Sequence, residues 1–240
     1  MRQATGIIPV RYESTRFPGK PLVKVQGKPL LQWVYEGVSS ARLLERVIIA
    51  TDDERILSIA RKFGAQVKMT SANHRSGTER AAEVAAQLTT PIIVNIQGDE
   101  PLVRGEMIDS LVLVLQNKSL PMASLMVKDY EKKKARDPNL VKVVVDNSGF
   151  ALFFSRSPLP SGIEDYFLKH IGLYGYQRDF LLKFASLKPS RLEKAEKLEQ
   201  LRALEYGYRI KMVETDEQTL SINLPQDIIR LEKLLEMRNK

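Results

Sequence analysis

The chain contains no cysteine, which removes disulfides and thiolate metal sites from consideration and fits a reducing compartment. It has no uninterrupted apolar run near the roughly 18 residues of a transmembrane helix, so membrane insertion is not expected. The N-terminus runs straight into a strand-like segment with no secretory leader pattern, and a cytoplasmic protein is the expectation. Internal repeats and low-complexity linkers are also missing. Acidic residues are in deficit: 29 Asp and Glu face 37 Lys and Arg, for a formal charge of +8. An excess of cations favours anionic partners, and nucleic acid, nucleotides and acidic metabolites all satisfy it. The densest basic run, Glu131 to Arg136 (EKKKAR), lacks interleaved aromatics and reads as a solvated helix face. No nucleic-acid motif is present, so no nucleic-acid partner is expected.

What is present is a 240-residue chain with 43% hydrophobic residues, enough for one α/β domain over 1–240 with an insertion. Apolar runs alternate with amphipathic stretches through the first half, the pattern of βαβ units and a mostly parallel sheet. Strands are predicted at Gly6 to Val10, Val47 to Thr51, Gln66 to Met69, Ile92 to Ile96 and Met122 to Val127. Pro29 to Ala41 and Glu54 to Phe63 carry their apolar residues on one face and read as sheet-covering helices. After Lys128 the pattern changes. Val141 to Val145 and Phe150 to Phe154 flank the turn sequence Asp146-Asn147-Ser148-Gly149, which predicts an antiparallel hairpin. His170 to Tyr176 again reads as strand. Ser190 and Glu193 form a capping box opening a helix that Gly207 closes, with Leu192, Ala195, Leu198, Leu201 and Leu204 at every third position. Such a helix is largely buried or lies in a subunit interface. A last strand, Arg209 to Val213, and a closing helix from about Pro225 complete the chain.

Four segments can carry chemistry. Thr5 to Leu22 (TGIIPVRYESTRFPGKPL) is a buried-strand pattern ending in a loop with Arg11, Arg16 and Lys20, stiffened by Pro18, Gly19 and Pro21. In open α/β sheets ligands lie beyond the carboxyl ends of strands, and cations on a rigid loop there suit a polyphosphate. Ile92 to Pro101 (IIVNIQGDEP) ends a central strand in Gln97, Gly98, Asp99 and Glu100. A carboxylate there can hold a hard cation such as Mg²⁺ beside a triphosphate, Gly98 allowing close backbone approach; alternatively Asp99 caps the next helix. Asn73 to Arg80 (NHRSGTER) opens a helix whose amides suit an anion or base edge, although Ser76 or Thr78 can serve as N-cap. Asp52 and Asp53 read equally as acids at a helix N-terminus. The fourth group is Phe154-Ser155-Arg156, His170 to Tyr176, and Leu198 to Arg202. Glu199 and Gln200 lie on an otherwise apolar helix and require partners, either a ligand or Arg156 or Arg202. His170 reads equally as a satisfied core histidine.

VRYESTRFPGKPL, NHRSGTER, NIQGDEP, NLVKVVVD, ALFFSR, HIGLYGY and LEKLEQLRALEYG, in this order, closely resemble the 3-deoxy-manno-octulosonate (Kdo) cytidylyltransferases, or CMP-Kdo synthetases. The resemblance covers nearly the whole chain. It implies a nucleotide-diphospho-sugar transferase fold, Rossmann-like, with an antiparallel hairpin insertion, and a homodimer formed through a hairpin region at about 128–176. It implies the reaction of CTP and Kdo to CMP-Kdo and pyrophosphate, in lipopolysaccharide synthesis, with Mg²⁺ as cofactor. By motif, Arg11, Arg16 and Lys20 match the triphosphate clamp, with Lys20, Arg16 and Asp99 the catalytic set. Ser76, Thr78, Arg80 and Gln97 match nucleotide contacts. Gln97, Arg156, His170, Tyr174, Glu199 and Gln200 match the sugar-acid site, and Asp99 a metal ligand. One departure stands out: where the family usually has Gly-Val-Asp-Thr-Pro, this chain has Ser221-Ile222-Asn223-Leu224-Pro225. Asn223 keeps an oxygen for the metal but loses a negative charge, so metal affinity should fall. Two alternatives follow: a cytidylyltransferase for 8-amino-8-deoxy-Kdo, and a weakened homologue that binds nucleotide or sugar acid without efficient transfer.

Overall fold

The computed structural model describes residues 3–13, 17–162, 165–217 and 219–238. Strand β1 (Ala4–Val10) is buried along its whole length, as a β-branched run in the middle of a sheet should be. A two-stranded ribbon, β2 (Lys24–Val25) and β3 (Lys28–Pro29), leads into helix α1 (Leu30–Ser39). Then follow β4 (Leu44–Thr51), α2 (Glu54–Lys62), β5 (Gln66–Met69), α3 (Gly77–Ala86), β6 (Ile92–Asn95), α4 (Gly105–Leu115) and β7 (Met122–Asp129). The hairpin is β8 (Lys142–Val145) and β9 (Ala151–Ser155), paired antiparallel with Val143 opposite Phe154. The rest comprises β10 (Phe167–Gln177), α5 (Arg178–Ser186), α6 (Arg191–Glu196), α7 (Gln200–Glu205), β11 (Ile210–Glu214) and α8 (Pro225–Arg238).

The main sheet runs β11-β7-β10-β6-β1-β4-β5, with the hairpin attached to β10. β1 is parallel to β4 and β6, and β11 to β7. β10 enters between β6 and β7 antiparallel to both, with Tyr174 opposite Asn95. The fold class is thus the expected α/β architecture with a mostly parallel sheet and an antiparallel hairpin. Successive strand residues point to opposite faces, so Ile8, Ile49 and Val94 join α1, α2 and α4 in one core. Ile7, Ile48 and Ile93 pack on the other face with α3, α5 and α7. Gly105 at the start of α4 abuts the end of α1: a Cβ there would lie 2.5 Å from the Ala41 nitrogen. α8 covers a third cluster in which Leu231 and Leu235 meet Ile222, Leu30 and Leu102. No described helix is long and apolar enough to cross a membrane.

Two elements differ from the expectation. The helix predicted from Ser190 to Gly207 is two short helices, because Lys197 adopts the left-handed conformation, φ 56°. The capping box at Ser190 and Glu193 is present, and Gly207 follows α7 with φ +79°. An every-third-residue apolar pattern does not hold one straight helix together, and with the break at Lys197 both Leu198 and Leu201 are buried. The basic run after β7 forms only a short 3-10 turn, Lys132–Arg136, with Ala135 its one buried residue.

Candidate active site

The site lies beyond the carboxyl ends of β1 and β6. After β1, Gly19 takes φ +70° and donates its N–H to Tyr12 O at 3.0 Å, a conformation open to glycine without strain. This turn delivers Lys20, whose Nζ donates to Asp99 Oδ2 at 2.6 Å and to Ile222 O at 2.6 Å. The Ile222 N–H donates to Asp99 O at 2.9 Å, and Asn223 follows it in the chain, its own N–H donating to Asp227 Oδ2 at 2.8 Å. The loop after β1 and the loop before α8 are therefore tied together by Asp99. Asp99 does not cap a helix, since α4 begins later with Arg104 at its N-cap position. Gly98 accommodates the protein itself: a Cβ there would lie 2.8 Å from Val10 Cγ2.

Arg11, Lys20, Ser76, Arg80, Gln97 and Asp99 line one cleft of about 250 Å³. Arg16 lies outside the described residues. A second cleft, of about 480 Å³, adjoins it and is lined by Thr78, Glu199 and Arg202, with Ser76 and Gln97 common to both. Ser76 is the N-cap of α3, accepting from the Glu79 N–H, and its hydroxyl donates to Glu199 Oε1 at 2.9 Å. Thr78 donates to Glu199 Oε2. Arg80 is buried, with Nη2 on Asp52 Oδ2 at 2.8 Å and Nη1 on Thr70 Oγ1 at 2.5 Å. Its guanidinium is thus engaged inside the protein, and it fixes the loop beneath α3. Asp53, the neighbour of Asp52, is the N-cap of α2. His74 pairs with Glu83.

Among the described residues no group of three or more His, Cys, Asp or Glu could hold a metal. The donors at the Lys20 position are nonetheless hard oxygens: the Asp99 carboxylate, the Ile222 carbonyl and the neighbouring Asn223. The first two already hold the Lys20 ammonium. A set with one carboxylate fits a small divalent cation that keeps waters and takes phosphate oxygens. Glu100 is buried behind Asp99; Ser221 donates to its Oε1, and its Oε2 has no partner among the described residues. Burial, then the Asp99 charge, pushes the Glu100 carboxyl up to about 7.

Of the sugar-acid candidates, Gln97 and Glu199 line the second cleft, whereas Arg156, His170, Tyr174 and Gln200 are not among its lining residues. Glu199, at the N-cap of α7, also accepts from Arg202 Nη2 at 3.4 Å, so its partners include Arg202. Gln200 is buried with its Nε2 unpartnered among the described residues, a donor that calls for a partner. His170 is buried between Phe154 and Tyr174, at ring-centroid distances of 5.0 and 5.5 Å. Its Nε2 lies 2.8 Å from Ser124 Oγ. The Ser124 hydroxyl also faces Ile171 O at 3.2 Å and Leu173 O at 2.8 Å, carbonyls at the irregular register between Ile171 and Tyr174. Carbonyls only accept, so the single Ser124 proton goes to them and His170 Nε2 is the donor to Oγ. Its Nδ1 is left as an acceptor. Burial lowers the imidazole pKa to about 3, and burial, then Glu199, raises the Tyr174 phenol; both stay neutral near pH 7. Arg156, after β9, donates from Nη1 to Pro138 O at 3.0 Å.

Asn95 was not among the sequence candidates. It ends β6 fully buried, its Nδ2 3.5 Å from Thr78 Oγ1 and its Oδ1 without a partner among the described residues. The available signal was a lone amide closing an apolar strand, Ile92-Ile93-Val94-Asn95.

Residues 5–212 match a family model described as cytidylyltransferase. A 3-deoxy-manno-octulosonate cytidylyltransferase of Geotalea daltonii is 50% identical over 247 residues, covering 97% of this chain and 96% of that protein. The enzyme of the same name from Syntrophotalea carbinolica is 48% identical over 241 residues, covering 95% and 96%. A solved structure of CMP:2-keto-3-deoxy-manno-octonic acid synthetase complexed with CTP superposes with a TM-score of 0.93 at 37% identity, covering 98% of this chain and 99% of that one. With its fold and its sequence in agreement over nearly the whole length, the chain belongs to the 3-deoxy-manno-octulosonate cytidylyltransferases, a family of nucleotidyltransferases.

Proposed function

We propose that this chain transfers CMP from CTP to the anomeric hydroxyl of Kdo, releasing pyrophosphate and supplying CMP-Kdo for lipopolysaccharide synthesis. The observation that carries the reading is the pair of adjoining clefts that share Ser76 and Gln97. One has the Lys20–Asp99 pair, the other Glu199, close to buried Gln200. Two substrates held in such neighbouring spaces meet at the shared wall, and proximity of this kind removes much of the entropic barrier to transfer.

In the proposed reaction the anomeric oxygen forms a bond to the α-phosphorus, and the α–β phosphoanhydride bond breaks in line. The hydroxyl proton is lost to solvent. Lys20 turns from Asp99 to the phosphate oxygens and, with Arg11 and Arg16, holds the charge that collects on departing pyrophosphate. Ser76 and Thr78 hold Glu199 at the wall of the sugar cleft. Gln200 donates its free N–H and His170 accepts at Nδ1, both to sugar hydroxyls. Arg156 receives the carboxylate, which guanidinium binds with two parallel hydrogen bonds. Asp99 and Asn223 would hold Mg²⁺, which when bound neutralises phosphate charge. The working form is a cytoplasmic homodimer joined through the hairpin region at about 128–176.

Pyrophosphate release, followed with CTP and Kdo together and each alone across Mg²⁺ and Mn²⁺ concentrations, tests the proposal. Release requiring both substrates is expected. No release under any condition would leave only a binding role, the outcome that Asn223 makes worth testing.

A further inference from the structure

Lys142 is the one lysine among the fully buried large side chains of the described structure. It sits on β8, opposite Ser155 of β9 and Lys169 of β10. No carboxylate pairs with its ammonium among the described residues. Its three N–H bonds point to three main-chain carbonyls: Asp137 O at 3.0 Å, Leu140 O at 2.7 Å, and Arg156 O. Taking a cation out of water without a direct ion pair costs several kcal/mol, and burial lowers the Lys142 pKa although the Asp137 charge opposes the shift. Three carbonyl dipoles offset that cost only while all three stay in place, so the ammonium acts as a rigid tripod.

The three points it joins belong to one functional unit. Asp137 and Leu140 bracket a tight turn, closed by Leu140 N–H to Asp137 O at 3.2 Å and by Asp137 Oδ1 accepting from the Asn139 N–H at 2.8 Å. The carbonyl between them, Pro138 O, is the one that receives Arg156 Nη1 at 3.0 Å. Lys142 therefore fixes both the main chain from which the Arg156 side chain grows and the turn against which its guanidinium rests. From the other side Glu196 of α6 accepts from Ser155 Oγ at 3.0 Å, so the segment is held at two points. Only Nη1 of the guanidinium is hydrogen-bonded among the described residues, which leaves the remaining donors for a ligand.

We propose that Lys142 is the positioning residue for Arg156: its ammonium locks the Asp137–Leu140 turn to the Arg156 main chain and thereby aims the guanidinium at the carboxylate of the sugar acid. This rests on the assignment of Arg156 to that carboxylate. A lysine that served only to stabilise the hairpin would affect both substrates alike; a positioning role is confined to one.

Steady-state kinetics with CTP and Kdo on three variants separate the possibilities. Lys142→Met keeps most of the length of the side chain, one heavy atom short, and removes its charge and donors. It should raise KM for Kdo by about tenfold or more while KM for CTP stays within about twofold and kcat falls less than about threefold. Asp137→Ala loosens the turn and removes the carboxylate charge that acts on Lys142, while the three carbonyls remain, and should raise KM for Kdo by roughly threefold, again with CTP unaffected. Equal increases for both substrates, or an unchanged Kdo KM in Lys142→Met, would overturn the role; if Lys142→Met does not fold, an unchanged Kdo KM in Asp137→Ala overturns it. Arg156→Gln is the reference. An unchanged Kdo KM there removes the carboxylate assignment itself, whereas a large increase there with none in the other two removes only the link to Lys142.

Discussion

Lowering the pH from 7 to 5 charges an exposed histidine, whose ordinary pKa is near 6.5, but His170 is buried against Phe154 and Tyr174 and its pKa is lowered to about 3. Between those two values the unfolded chain binds a proton that the folded chain refuses. The contribution of neutral His170 to stability is therefore complete above pH 6.5 and is lost progressively as the pH falls toward 3. Relative to pH 7 the loss is about 2 kcal/mol at pH 5 and about 3 kcal/mol at pH 4, a large share of the roughly 5–15 kcal/mol available to a folded domain. Ser124 commits its only proton to Leu173 O or Ile171 O and accepts from Nε2, which holds the imidazole in its neutral Nε2–H form. Urea unfolding of the wild type and of His170→Gln, whose amide can still donate to Ser124 but does not titrate, is the assay. The variant will be less stable at pH 7, and the difference should shrink by about 2 kcal/mol on going to pH 5. Parallel stability curves for the two proteins between pH 7 and 4 would refute the reasoning, as would an imidazole NMR titration midpoint above about 5 for His170.

Three further outcomes are expected. Lys20→Ala should lower kcat by about 100-fold to 1,000-fold, by analogy with the loss of a transition-state donor, while thermal denaturation shows Tm within about 3 °C of wild type because the Lys20–Asp99 pair is partly open to solvent. Gly105→Ala places a Cβ 2.5 Å from backbone atoms of Ser40 and Ala41 and should cost at least about 2 kcal/mol in urea unfolding with the substrate KM values retained. Asn223→Asp adds a second carboxylate to that of Asp99 and should lower the Mg²⁺ concentration for half-maximal pyrophosphate release by about tenfold; isothermal titration of Mg²⁺ in the presence of CTP reads the same change without turnover.

Local patterns made the strands, the sheet-covering helices and the hairpin legible, because alternation, capping residues and turn residues act over a few positions. The β1 loop and the Asp99 turn were legible for the same reason: cations and carboxylates at strand ends have few structural uses. What remained hidden depends on partners far along the chain. The Leu192 to Leu204 repeat suits one helix or two, and only the left-handed Lys197 chooses. Arg80 reads as a loop cation until Asp52 and Thr70 are seen around it, and Ser124 gives no local sign of the register irregularity it satisfies. Lys142 is least visible of all, since a lysine in a β-rich run reads as an outward-facing residue, and its burial follows from β8 lying against β10.

The separations across the cleft have a kinetic consequence. Lys20 meets Asp99 across 79 residues, Ser76 meets Glu199 across 123, and Lys20 meets Ile222 across 202. Loop-closure entropy must be paid for each of these contacts before it returns any stability, so topologies built on them fold slowly. The β1–β4 and β4–β5 pairings, Ala4 with Leu44 and Ile48 with Gln66, close over shorter stretches of chain and can form first. Catalytic competence should therefore emerge after most of the far-UV circular dichroism has returned, and a chain cut anywhere between Lys20 and Ile222 recovers activity only if both pieces reassociate.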